Sequence, residues 1–277
     1  MFGFGKNKSS EQTTGIKLVL LLGNSSRHYY FADQLSKHFN ILGIVSEASK
    51  AHMLSELSDA HPLVRLHFTD TFEKEGLYFG KYHNFKMPKE RMLIMPYGQA
   101  SAAVPNFVSK LNPDYIISFD SSPISNALLA AYPGKVLHLH NGLINYYNGN
   151  GANLWPIIDQ HPECVGMTVH LIEDSTDSGH VLGQIRPELA ISDTMGDFEL
   201  KSVIAGTNLT NRAIIEYQKG TITPQDMERS RINHTLQDLS ADKILQTKQV
   251  LTQQGLIQNF LSQKKQLLQS NPIFEIP

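Results

Sequence analysis

The chain has 277 residues, 41% of them hydrophobic and 18% charged, and is long enough to bury a sizeable core without a disulfide or metal staple. Lys+Arg number 24 against Asp+Glu 26, and this net charge of −2 lacks the basic surplus a general nucleic-acid binder needs. The single cysteine, Cys164, excludes a disulfide framework and gives no support to secretion.

Residues 1–15 are polar and rich in Gly, Lys and Ser, which predicts a disordered tail. Gly3-Phe4-Gly5 has no strand before it and is not a dinucleotide loop. The apolar run 17–22 lacks polar alternation, as a strand covered on both faces does. It falls far short of the ~20 residues that span a bilayer. No signal-like segment is evident, so the expected compartment is the cytoplasm, with no membrane partner. Gly23-Asn24-Ser25-Ser26 supplies a turn and an N-cap, and Tyr30, Phe31, Leu35 and Phe39 follow at helical spacing. Residues 41–45 read as a second buried strand, completing a βαβ unit.

Helices are predicted over 51–57 and 100–111, with an irregular stretch at 71–87 between them. A buried strand is expected at 115–119, a short helix at 125–132, and a strand at 135–140 whose end carries His138 and His140. An Asn/Gly/Tyr loop spans 141–151, and a helix is predicted over 152–160. Strands follow at 165–172 and 181–185, then a long helix at 195–218. Beyond Gly220 strand patterns stop, and helices are predicted at 242–253 and 256–268. The pattern predicts an α/β protein with a Rossmann-like, mostly parallel sheet over 16–220, and a small helical C-terminal extension over 221–277. The Gln/Leu-rich tail is compatible with a homodimer.

Ligands of such sheets bind at the carboxyl ends of the strands, where His138 and His140 lie. Residues two apart on a strand share a face, so both imidazoles point the same way. Asp177 sits in a polar loop between two apolar strands, a place from which a carboxylate can reach a strand end. A His paired with an Asp is an oriented base. His138-x-His140 with Asp177 is also an acceptable zinc or iron ligand set, which makes a metal-dependent hydrolase the alternative from the residues themselves. His170 reads as a strand histidine packed near the site, and Trp155 as a residue packing a helix onto the sheet.

Three segments in order carry a resemblance: His138-Leu139-His140-Asn141-Gly142-Leu143-Ile144-Asn145-Tyr146-Tyr147-Asn148-Gly149, then Gly166-Met167-Thr168-Val169-His170, then Asp177-Ser178-Gly179. They are similar to the signature of the folate-dependent formyltransferases, and residues 149–156, 23–31 and 256–264 resemble the branch that formylates sugars. The resemblance implies formyl transfer from the co-substrate N10-formyltetrahydrofolate to a primary amine, carried by a nucleotide-linked amino sugar. His140 matches the family's catalytic histidine and Asp177 its aspartate, while His138 stands where the family has asparagine. Asn145 and Asn148 replace the family's proline and basic residue. Folate is expected on Ser121, Ser122, Pro123 and Ile124 and on the stretch before the aspartate, including Asp174 and Ser175. Ser121 and Ser122 read equally as a helix cap. The acceptor is expected at Asn24, Ser25 and Arg27, where a strand-to-helix turn can meet an anion, and at Asn141, Gly142 and Tyr147. The turn at 24–26 also reads as a plain N-cap. No resident metal is expected under this resemblance, and a binding protein without turnover is the remaining alternative.

Overall fold

The computed structural model describes residues 14–98, 103–173 and 180–277. The expected tail at 1–15 and the loop containing Asp174, Ser175 and Asp177 lie wholly or mostly outside them.

A seven-stranded sheet forms the centre. Its strands are β1 (Lys17–Leu22), β2 (Asn40–Glu47), β3 (Met92–Met95), β4 (Tyr115–Phe119), β5 (Val136–His140), then β7 (Met167–Leu171) and β8 (Val181–Ile185) after a two-residue β6 (Asn148–Gly149) that lies elsewhere. The order is β3-β2-β1-β4-β5-β7-β8. The first five run parallel, whereas β7 is antiparallel to both β5 and β8.

The apolar runs form strands because both faces are covered. Leu18, Leu20, Ile117 and Leu137 pack against Phe31 and Leu35 of α1 (Ser26–Ser36) and against Val203 and Leu209 of the long helix α7 (Met195–Lys219). Between them, Val19, Leu21, Ile116 and Val136 face Val108 of α4 (Ala103–Leu111) and Leu128 of α5 (Asn126–Ala131). Each buried aliphatic contributes ~1.5–3 kcal/mol relative to an exposed one. This arrangement is the Rossmann-like α/β fold that the strand and helix pattern implies.

Two expectations change. The stretch 71–87 is not irregular: it is the end of α3 (Pro62–Phe79), which follows α2 (Ser49–Glu56), and a 3-10 turn over Gly80–Asn84. The inward stripe of α3 is Val64, His67/Phe68, Thr71, Glu75 and Phe79. Half of that stripe is polar, which erases the apolar periodicity a helix is read from. The helix expected at 152–160 shrinks to α6 (Trp155–Ile158).

The C-terminal region adds β9 (Asn233–His234), α8 (Ala241–Gln253) and α9 (Leu256–Ser270). β9 pairs with β6, so it clamps the loop that follows β5. Gly149 makes this possible: its φ is +86°, and a Cβ there would stand 2.1 Å from the His234 carbonyl oxygen. Asn148 Nδ2 donates to the Ser230 carbonyl at 2.6 Å. His234 stacks on Trp155 with ring centroids 3.9 Å apart, and Lys243 Nζ lies 4.7 Å from the Trp155 ring.

Candidate active site

Ser118 of β4 and His138 of β5 are register partners, and His138 in turn faces His170 on β7. One step nearer the carboxyl end, His140 faces Thr168. Three imidazoles therefore gather at one place, with ring centroids 5.3–6.4 Å apart. The rings are mutually tilted and do not converge. Among the described residues no group of three His, Cys, Asp or Glu side chains is placed to hold a metal ion. The ligand set of the hydrolase alternative includes Asp177, which lies outside the described residues.

The imidazoles are differently occupied. His138 Nδ1 stands 2.8 Å from Ser118 Oγ. His170 Nδ1 donates to the Leu171 carbonyl at 3.0 Å. His140 Nε2 is buried and has no hydrogen-bond partner among the described residues. An unsatisfied buried nitrogen costs ~1–3 kcal/mol, so it calls for a role. Burial, followed by the neighbouring His138, His170 and Arg229, holds the His140 pKa well below its ordinary value. At neutral pH this imidazole is uncharged. Gly142 packs tightly beside it, since a Cβ at 142 would meet Ala152 Cβ at 2.5 Å and His140 Nε2 at 3.3 Å.

His138 and His140 open into a cleft of about 480 Å³, a size suited to a small-molecule ligand. Its walls include Ser25, Arg27, His28, Asp120, Ser121, Asn141, Gly149 and Asn150. Lys50, His52 and Tyr97 stand at another side, and His52 stacks on Tyr97 at 4.4 Å between centroids.

The remaining expected site residues fall into distinct places. Ser121 lines both the cleft and a side pocket of about 30 Å³, and Ser122, Pro123 and Ile124 line that pocket only. Ser122 donates through its N–H and Oγ to the buried Glu47 carboxylate, at 2.6 and 2.7 Å. Asn141 reaches the cleft and accepts from Asn153 Nδ2 at 2.6 Å. Gly142 is buried, and its carbonyl accepts from Thr168 Oγ1 at 2.8 Å. Tyr147 is corrected: its ring packs beside Trp155 in a core cluster and does not line the cleft, because the clamped loop turns it inward. Arg27 does line the cleft. It is buried and spent on Glu75 at 3.0 Å and on Glu199. Ser25 caps α1, its N–H donating to His28 Nδ1 at 3.0 Å, while Asn24 is exposed and does not line the cleft. The described neighbours of the Asp177 loop sit near the start of β5: the Ile172 N–H donates to the Val136 carbonyl at 2.9 Å.

Two cleft residues escape a sequence reading. His28 donates from Nε2 to Asp120 Oδ2 at 3.1 Å, because Nδ1 is already receiving the Ser25 N–H. They are 92 positions apart, so no local motif links them. Asp120 does stand just past the carboxyl end of a buried strand, which is the one signal that marks it.

The fold and this cleft, set at the carboxyl ends of parallel strands, define an α/β protein of the small-molecule-binding kind. A family model described as formyl transferase matches residues 18–214. The chain belongs to the formyl transferase family. The methionyl-tRNA formyltransferase of Finegoldia magna is 27% identical over 128 residues, covering 46% of this chain and 41% of that protein. The chain thus matches less than half the length of that relative. Among solved structures, a 4-N formyltransferase from Francisella tularensis matches 80% of this chain and 77% of its own with a TM-score of 0.52 at 14% identity. Phosphoribosylglycinamide formyltransferase from Anaplasma phagocytophilum matches 80% of this chain and 99% of its own, with a TM-score of 0.52 at 12% identity. At these identities the likeness is one of fold.

Proposed function

We propose that the protein transfers a formyl group from N10-formyltetrahydrofolate to a primary amine carried by a nucleotide-linked amino sugar. The observation that carries this reading is the uncharged His140, with an unbonded Nε2, at the floor of the cleft in a chain of this family.

Attack of an amine on a formyl carbon builds a negative oxygen, and the amine must lose a proton. A neutral imidazole can take that proton or donate to the oxygen, and its low pKa makes it available at neutral pH. His138 stands beside it, with Nδ1 engaged by Ser118. Ser121, which lines both the cleft and the side pocket, offers a polar group for the folate. Asp177 is the residue assigned to orient His140 or relay protons. The cleft is of a size for a small-molecule acceptor, and the Francisella tularensis relative is named as a 4-N formyltransferase.

The test is incubation with N10-formyltetrahydrofolate and a panel of UDP-, dTDP- and GDP-linked amino sugars, read by mass spectrometry. A gain of one carbonyl group on an amine supports the reading. Tetrahydrofolate binding without any formylated product favours a binding protein instead.

A further inference from the structure

We propose that Asp120 is the anionic anchor that receives the ammonium form of the acceptor's amine and sets it beside His140. This rests on the amine-acceptor reading above and assigns a residue outside the His140/His138/Asp177 set.

The geometry is specific. Asp120 follows the last residue of β4, two positions beyond Ser118, whose register partner is His138. It lines the cleft together with His138 and His140. Its backbone is held at φ +51°, a left-handed conformation that costs a non-glycine residue about 1–3 kcal/mol and persists where surroundings demand it. That turn directs the chain away from the sheet at the cleft. The Asp120 side chain is 34% exposed, whereas its partner His28 is 3% exposed. Oδ2 is taken by His28, and the exposed part of the carboxylate is left for a cleft ligand.

The support behind it is equally built. Ser25 N–H fixes His28 Nδ1 as an acceptor, which fixes the Nε2 proton on Asp120. The His28 ring also packs on Phe119 at 5.2 Å between centroids. Burial alone would raise the Asp120 pKa, but the His28 bond and the nearby His28, Arg27 and His138 outweigh it and hold the carboxylate ionised. His140 is uncharged and Arg27 is already paired with Glu75 and Glu199, so neither requires Asp120 as its counter-ion. A maintained negative charge in a cleft beside the uncharged His140 selects a cation, and a primary amine arrives as one. Asp120 holds the ammonium. The ammonium must lose a proton before its nitrogen attacks, and the uncharged His140 is the group that takes it.

The experiment compares binding of a UDP-linked 4-amino-4,6-dideoxyhexose with its 4-hydroxy counterpart, in the wild type and in Asp120→Asn. Asn keeps the shape and tolerates the left-handed backbone. Tetrahydrofolate affinity and thermal unfolding are measured alongside. The wild type is expected to prefer the amine roughly 10- to 100-fold, the worth of one charge-assisted hydrogen bond. Asp120→Asn is expected to abolish that preference while tetrahydrofolate affinity is unchanged. Equal binding of the two sugars by the wild type, no binding of either, or a preference that survives in Asp120→Asn overturns the inference. Loss of tetrahydrofolate binding in the wild type would instead defeat the formyltransferase reading itself.

Discussion

Ser118 Oγ stands 2.8 Å from Nδ1 of His138, its register partner on the neighbouring strand. The serine thus fixes the ring that stands where the resemblance in the sequence would put an asparagine. An asparagine there retains an N–H for a developing oxyanion and is smaller than the imidazole. His138→Asn is expected to keep or raise formyl transfer, measured as kcat/KM. A tenfold loss, ~1.4 kcal/mol of transition-state stabilisation, would show that the imidazole has taken over a role of its own.

His140→Ala removes the uncharged ring whose Nε2 is unbonded. Turnover is expected to fall by ~10²–10³, the usual consequence of losing one donor at a developing oxyanion. Far-UV circular dichroism should match the wild type. An activity loss smaller than tenfold would remove His140 from the chemistry.

Gly149→Ala tests the clamp between β6 and β9. The new Cβ meets the His234 carbonyl oxygen at 2.1 Å and strains a φ of +86°. A cost of about 1–3 kcal/mol is expected in urea unfolding, with weakened acceptor binding because Gly149 and Asn150 line the cleft.

His67 lies inside α3 at 6% exposure, and burial, aided by Lys248, lowers its pKa to about 4. The unfolded chain protonates this ring near pH 6.5, whereas the folded chain does so only near 4. Its contribution to stability is therefore complete above pH 6.5 and is lost progressively as pH falls to 4. The depressed His140 acts with the same sign. His67→Gln is expected to flatten the fall in Tm between pH 7 and 4, on the order of 3 kcal/mol at full effect. An unchanged pH slope would show that His67 is not buried as a neutral ring.

Glu75→Gln leaves the buried Arg27 with Glu199 alone. Breaking a buried ion pair costs ~3–5 kcal/mol, so a loss near the lower end is expected in denaturant unfolding. A loss below ~1 kcal/mol would mean that Glu199 alone satisfies the guanidinium.

The central strands were legible because β1 and β4 are nearly pure apolar runs flanked by turn residues, and β5 carries the buried Val136, Leu137 and Leu139. β3 was not, since on this edge strand Ile94 is 76% exposed and only Met95 is buried. α3 hid behind its polar stripe of His67, Thr71 and Glu75. At the site, His138 and His140 announced themselves through their spacing on a strand end. Asp120 with His28 did not, because Asp-Ser-Ser-Pro reads locally as a turn and the pair is assembled only by the fold. Tyr147 looked like a ligand residue because a loop can reach solvent, and burial sent it inward, whereas Arg27 lines the cleft with its guanidinium paired to two carboxylates.

The indole of Trp155, the one tryptophan in the chain, lies between an imidazole and an ammonium that both belong to the C-terminal segment. Its emission is consequently a built-in reporter of that segment's docking. Detachment of His234 and Lys243 would expose the ring to water and shift its fluorescence to the red, so undocking of the tail can be followed optically without any added label.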